Sequence, residues 1–170
     1  VKALGIVMLA QLYDQEKNSP KAVDLLLQLR KDAPPYAQGE FALASIYQAQ
    51  NKLTEAEDAF RRSIRIGSFL PAYRPLMELL KAAGKQSESG DFSLQFERQA
   101  AALGAKLNST TLTEQQKQTV IQELAMGGPD PAVTRALVEA LDEKSVDTRG
   151  NATVALMQVG TVEALPALQA

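Results

Sequence analysis

Apolar residues recur at spacings of three and four along most of the chain, the period of helices that bury one face. Leu9, Leu12 and Tyr13 form one such run, and Val23, Leu26, Leu27 and Leu29 form the next, so this first unit reads as a helical hairpin. At an offset of 34 residues the pattern returns: Leu9 meets Leu43, Ala10 meets Ala44, Tyr13 meets Tyr47, Ala22 meets Ala56 and Leu26 meets Phe60. Recurrence at a fixed period of this length predicts stacked supersecondary units. Helix starts are marked locally: Ser19 before Pro20 reads as a cap with a first-turn proline, and Thr54 with Glu57 as a capping box. A third copy, offset by 33, opens at Tyr73 and runs through Leu76, Leu79 and Leu80 to Gly84. Its second half fades, with Ser89 and Ser93 where earlier copies have an Ala and a large apolar residue, and a helix expected from about Asp91 to Leu103.

Residues 104 to 112, rich in small and polar side chains, interrupt the period and read as a linker between 1–103 and 113–170. After it, Thr113 with Gln116 reads as a capping box for a helix carrying Val120, Ile121 and Leu124. Asp130-Pro131 opens a second helix through Leu141, and Ser145 to Val159 and Thr161 to Leu168 are expected to follow as a further pair. The expected fold is all-α, a right-handed α-solenoid of helical hairpins. The chain begins at Val1 and stops at Ala170 inside an apparent repeat, as a piece of a longer protein would.

Leu9, Ala10, Tyr13, Ala22, Leu26 and Pro34, matched by Leu43, Ala44, Tyr47, Ala56 and Phe60, resemble the tetratricopeptide repeat. Small residues fall where paired helices cross closely. Departures are Ile6 and Glu40 at the family's Trp place and Ser68 at its final Pro in the second copy; Glu40 would face solvent unless covered. The segment from Val146 to Leu168 resembles a short bacterial HEAT repeat, through Arg149, Ala152, Ala155, Leu156, Gly160, Leu165, Pro166 and Leu168, with Thr148 where a Val is usual. The first resemblance implies three tetratricopeptide-like hairpins over 1–103, the third degenerate, and the second implies HEAT-like hairpins over 113–170. It also implies a concave surface lined by first helices. The matching places are Leu4, Val7, Gln11, Asp14 and Gln15, then Gln38, Phe41, Ser45 and Gln48, then Arg74, Glu78 and Lys81. Some members clamp a terminal carboxylate through Lys, Asn and Arg; here Val7, Gln11, Ala42, Pro71 and Pro75 hold those places, which disfavours that use.

Composition narrows the chemistry. The 170 residues contain no Cys and no His, which excludes disulfides, thiolate or imidazole metal sites and any imidazole-based triad. Hydrophobic residues make up 45% and aromatics only 5%, the balance of an aliphatic helical protein rather than a sandwich or barrel. Eighteen basic against 20 acidic residues give net −2, so nothing selects a phosphate backbone and nucleic acid is not an expected partner. Residues 1 to 112 carry net +2 and 113 to 170 net −4, a difference that steers encounters without deciding them. No apolar run approaches the roughly 18 residues that would cross a bilayer, so direct membrane insertion is not expected.

Glu57 and Asp58 stand four residues before Arg61 and Arg62, the spacing of solvated intrahelical ion pairs. Arg61, Arg62 and Arg65 could meet an acidic partner or phosphate, but on a second helix they read as a solvated outer face. Gly127-Gly128-Pro129 lacks the Lys-Ser/Thr and preceding strand of a phosphate loop and reads as a turn. With no catalytic, cofactor or metal residues expected, the leading function is a non-enzymatic scaffold that holds a protein or peptide, with Val7, Gln11, Gln38, Phe41, Ser45, Gln48, Arg74 and Glu78 as groove residues. Val7 and Phe41 are the apolar anchors, and Gln and Ser would satisfy a peptide backbone. The alternative is an accessory module of a larger enzyme or envelope complex whose chemistry lies outside this chain; similarity of short HEAT repeats to those of bilin lyases is its enzymatic variant. A third reading is self-association through an exposed repeat end.

Overall fold

The structure, a computed structural model, describes residues 2 to 159, and among them all regular structure is helical. The protein is all-α. The chain divides into two compact units, Val1–Phe92 and Ser93–Ala170. The expected helix from Thr161 to Leu168, and with it Gly160, Leu165 and Pro166, lies outside the described residues.

The first unit holds α1 (Lys2–Gln15), α2 (Ser19–Asp32), α3 (Ala37–Ala49), α4 (Leu53–Gly67), a 3-10 turn (Leu70–Ala72), α5 (Tyr73–Ala82) and the start of α6 (Gln86–Leu107). Three of its connections share one geometry. Lys17, Asn51 and Gly84 have φ of 62°, 58° and 77°, and each begins the reversal after its helix. The next amide then reaches back five residues: Asn18 N to Tyr13 O at 2.8 Å, Lys52 N to Tyr47 O at 2.9 Å and Lys85 N to Leu80 O at 2.8 Å. This left-handed closure satisfies carbonyls that a helix end leaves orphaned. The turns recur at offsets of 34 and 33, in step with the apolar pattern. Ala10, Ala22, Ala44 and Ala56 are all fully buried, so the places where the sequence put small residues lie inside the core.

Two expected caps form differently. Ser19 lies inside α2 behind Asn18, and its hydroxyl donates to Asp14 Oδ1 at 2.6 Å instead of capping. Thr54 and Glu57 make no capping box, because α4 starts at Leu53 and Glu57 turns to Arg61 and Lys85. α6 begins at Gln86, ahead of the expected Asp91, so Ser89 sits inside a helix. Ser89 is buried, and its hydroxyl donates to the Met77 carbonyl at 3.2 Å, which accommodates the Ala-to-Ser departure. Ser63 does the same to the Ala37 carbonyl at 2.8 Å. All four tyrosines, at 13, 36, 47 and 73, belong to this unit.

The second unit contains the rest of α6, then α7 (Glu114–Ala125), α8 (Pro131–Glu139), a 3-10 turn (Ala140–Asp142) and α9 (Val146–Val159). Gly104 to Leu107, the start of the expected linker, form the last turn of α6. Thr113 and Gln116 make the reciprocal capping box, and Asp130 accepts from Ala132 N at 2.8 Å ahead of Pro131. α6 and α8 cross closely: a Cβ added to Gly104 would stand 2.9 Å from the Ala136 Cβ. The core here is aliphatic, built on Leu103, Leu107, Ile121, Leu124, Leu137 and Leu156, and Phe96 is the unit's one aromatic residue.

Polar groups fasten this second core. Glu114 Oε2 accepts from Ser145 Oγ at 2.5 Å and Thr148 Oγ1 at 2.9 Å, and these hydroxyls hold its carboxyl below the ordinary glutamate range. Thr148 is thus a buried donor with its partner supplied by another helix. Lys117, buried on α7, pairs with Glu143 at 2.7 Å, and Arg149 donates to the carbonyls of Glu143 and Lys144.

Candidate interaction surface

α3 is enclosed by α1, α2 and α4, and it buries Gly39, Glu40, Ala42, Leu43, Ala44 and Ile46. Its open side carries Gln38, Phe41, Ser45 and Gln48, spaced three, four and three residues apart and therefore on one helical face. Gln38, Phe41 and Gln48 are half-buried and Ser45 is exposed. The Phe41 ring is set by two others, with centroids 5.8 Å from Phe60 and 5.5 Å from Phe69. Ser45 Oγ donates to the Phe41 carbonyl at 3.0 Å, which leaves its lone pairs outward. This face has no formal charge. A peptide laid on it would meet a fixed aromatic edge, a hydroxyl acceptor and two amides, each able to donate and accept.

The other expected groove residues separate. Val7, matched to Phe41 at the 34-residue offset, is a core residue clustered with Ala10, Leu29, Ala42 and Ile46, and a Cβ added to Gly39 would stand 3.8 Å from its Cγ2. It serves packing, not an open surface, because α1 is apolar on both sides and turns its Val7–Ala10 side inward. Gln11 is exposed on α1; on α5, Arg74 is half-buried and Glu78, one turn later, is exposed.

A hollow of about 240 Å³ opens on another side of the first unit, with Leu26, Tyr36 and Ile66 among its apolar lining and Arg30, Arg62 and Arg65 among its polar lining. Arg30 grips Glu40 through two nitrogens, Nε to Oε1 at 2.7 Å and Nη2 to Oε2 at 2.5 Å. Glu40, expected in solvent unless covered, is buried beneath that guanidinium. The hydrogen bond to Glu40 raises the Arg30 pKa above its ordinary value. The partners are ten residues apart on different helices, a pairing to which helical periodicity gives no signal.

The arginine cluster of α4 is split. Arg62 and Arg65 line the hollow, while Arg61 turns to Glu57 at 2.8 Å and Glu88 at 2.5 Å and lies over the Phe92 ring at 5.3 Å. Lys85 completes the clasp with Glu57 at 3.0 Å. Burial pushes the Glu57 carboxyl up, but hydrogen bonds from Arg61 and Lys85 outweigh it and hold the group below its usual range.

Among the described residues there is no cluster of three acidic side chains arranged to hold a metal ion, and no helix is long and apolar enough to cross a membrane. No family model, no curated protein and no solved structure matches this chain.

Proposed function

We propose that the protein is a non-enzymatic scaffold that holds a polypeptide against the first helices of its hairpins, tetratricopeptide-like in the first part and HEAT-like in the second, stacked as a right-handed α-solenoid. The open face of α3 carries this reading: an uncharged strip with one fixed ring and several groups able to bond a peptide backbone. The recurring turns at Lys17, Asn51 and Gly84 support the hairpin repetition. Extended or helical peptides gain specificity from such an arrangement through an apolar anchor and backbone hydrogen bonds.

The test is selection of peptides from a displayed library on the full chain, followed by affinity measurement. Ser45→Glu and Gln48→Glu, both at solvent-accessible places, are expected to weaken the selected peptides at least tenfold while leaving the helical circular dichroism unchanged. Selected peptides that bind both variants as well as the parent refute the reading, as does catalytic turnover by the chain alone.

A further inference from the structure

The three clustered arginines of α4 end in different roles. Arg61 is occupied, held by Glu57 and Glu88 over the Phe92 ring. Arg62 and Arg65, three residues apart and so on one helical face, line the hollow beside Tyr36. Both are exposed, and among the described residues neither makes an ion pair. Arg30, the third arginine of the lining, is neutralised by its two bonds to Glu40, and Asp58 acts on that same guanidinium. The hollow therefore carries two positive charges that no carboxylate of the described residues answers.

Its remaining walls are apolar and held in place. Pro34 and Pro35, whose rings fix their φ, make the connection that brings Tyr36 to the hollow between α2 and α3. Leu26 is buried, while Ile66 stays partly open to solvent. The lining comes from α2, α3 and α4, on both sides of this connection, so the first unit itself bounds the hollow; it is not a bare helix face awaiting the next helix. A site already shaped costs little ordering when it binds.

At about 240 Å³ the hollow falls just under the roughly 300–1,000 Å³ of sites for drug-sized ligands, which suits one ring and a short chain. An inorganic anion would leave the apolar walls wet, and an uncharged ring would leave both guanidinium groups unanswered. An acid with an apolar body satisfies the two together, and the planar fork of arginine matches a carboxylate through paired hydrogen bonds.

We propose that the hollow binds a small organic carboxylate, with its apolar body against Leu26, Tyr36 and Ile66 and its carboxylate held by Arg62 and Arg65. The site is separate from the uncharged face of α3, so each stands or falls on its own variants.

The probe is phenylbutyrate, titrated into the isotope-labelled full chain and followed by amide shifts in heteronuclear NMR. Saturable shifts are expected at Tyr36, Gly39 and Ile66, with a Kd on the order of 1 mM for a ligand this small. Arg62→Gln combined with Arg65→Gln is expected to weaken binding at least fivefold with the circular dichroism unchanged, since both places are exposed. Phenylbutyramide, the same body without the charge, is expected to bind as weakly to the parent. Arg98→Gln, an exposed place on α6 in the second unit, is expected to leave the affinity unaltered. Shifts that do not saturate, or that scatter over the surface, overturn the proposal. Binding that survives the double variant overturns it as well, and so does inorganic phosphate that displaces phenylbutyrate at equal concentration. Loss of the shifts through Ser45→Glu and Gln48→Glu assigns the probe to the α3 face and overturns it equally.

Discussion

Arg30 reaches solvent while Glu40, which it grips through two nitrogens, is buried, so the two halves of this pair are unequal. Arg30→Met is expected to cost about 2–3 kcal/mol because it strands a buried carboxylate, whereas Arg30→Met with Glu40→Leu recovers most of that loss. Urea unfolding of the single and double variants measures both. Glu57 supplies a pH dependence of known sign. Its folded pKa is lowered, so its stabilisation is complete above the ordinary glutamate value of about 4.3 and disappears as pH falls through the lowered value. Glu57→Gln is therefore expected to be less stable than the parent by about 1 kcal/mol at pH 7, with the gap closing in acid below about pH 4. Thermal unfolding across pH 3 to 7 checks it. At this scale the sequence was legible where a side chain acts on its own helix, as with Glu57 and Arg61, and silent where the partner comes from another, as with Arg30 and Glu40 or Glu114 and Thr148.

Helices are local objects, and periodicity located most of them; their ends were harder, since several residues can compete for one cap. Thr113 and Asp130 win their competitions because each precedes its helix with an extended backbone. Ser19 does not cap because it is already the first residue of α2, behind Asn18, and its hydroxyl donates sideways to Asp14. Two glycines of α6 give opposite expectations. At Gly90 an added methyl meets nothing within 4 Å, so Gly90→Ala is expected to stabilise by about 0.5–1 kcal/mol through helix propensity alone. At Gly104 the methyl would collide with Ala136 in α8, so Gly104→Ala is expected to destabilise by about 1–2 kcal/mol despite the same propensity gain. Chemical denaturation of the two variants decides the matter. Lys17, with its positive φ, is expected to gain about 1 kcal/mol on replacement by Gly, measured the same way.

Across the whole molecule the 34-residue recurrence was readable because it needs only identity at fixed spacing, and it located the buried alanines of the first unit correctly. The candidate groove was readable less well. Matching Val7 to Phe41 ignored that α1 has apolar residues on all sides, so sequence position alone could not choose which side turns inward. α1 therefore carries less buried surface than α3, and its amides are expected to exchange with solvent hydrogen faster than those of Ala42 to Ile46. Mass-resolved exchange over minutes to hours tests this. The confinement of every tyrosine to Val1–Phe92, in a chain without Trp, has a practical result. Ultraviolet emission from this protein reports on one half alone, while far-ultraviolet dichroism sums both. A melt followed simultaneously by the two signals thus distinguishes the halves with no dye, label or mutation.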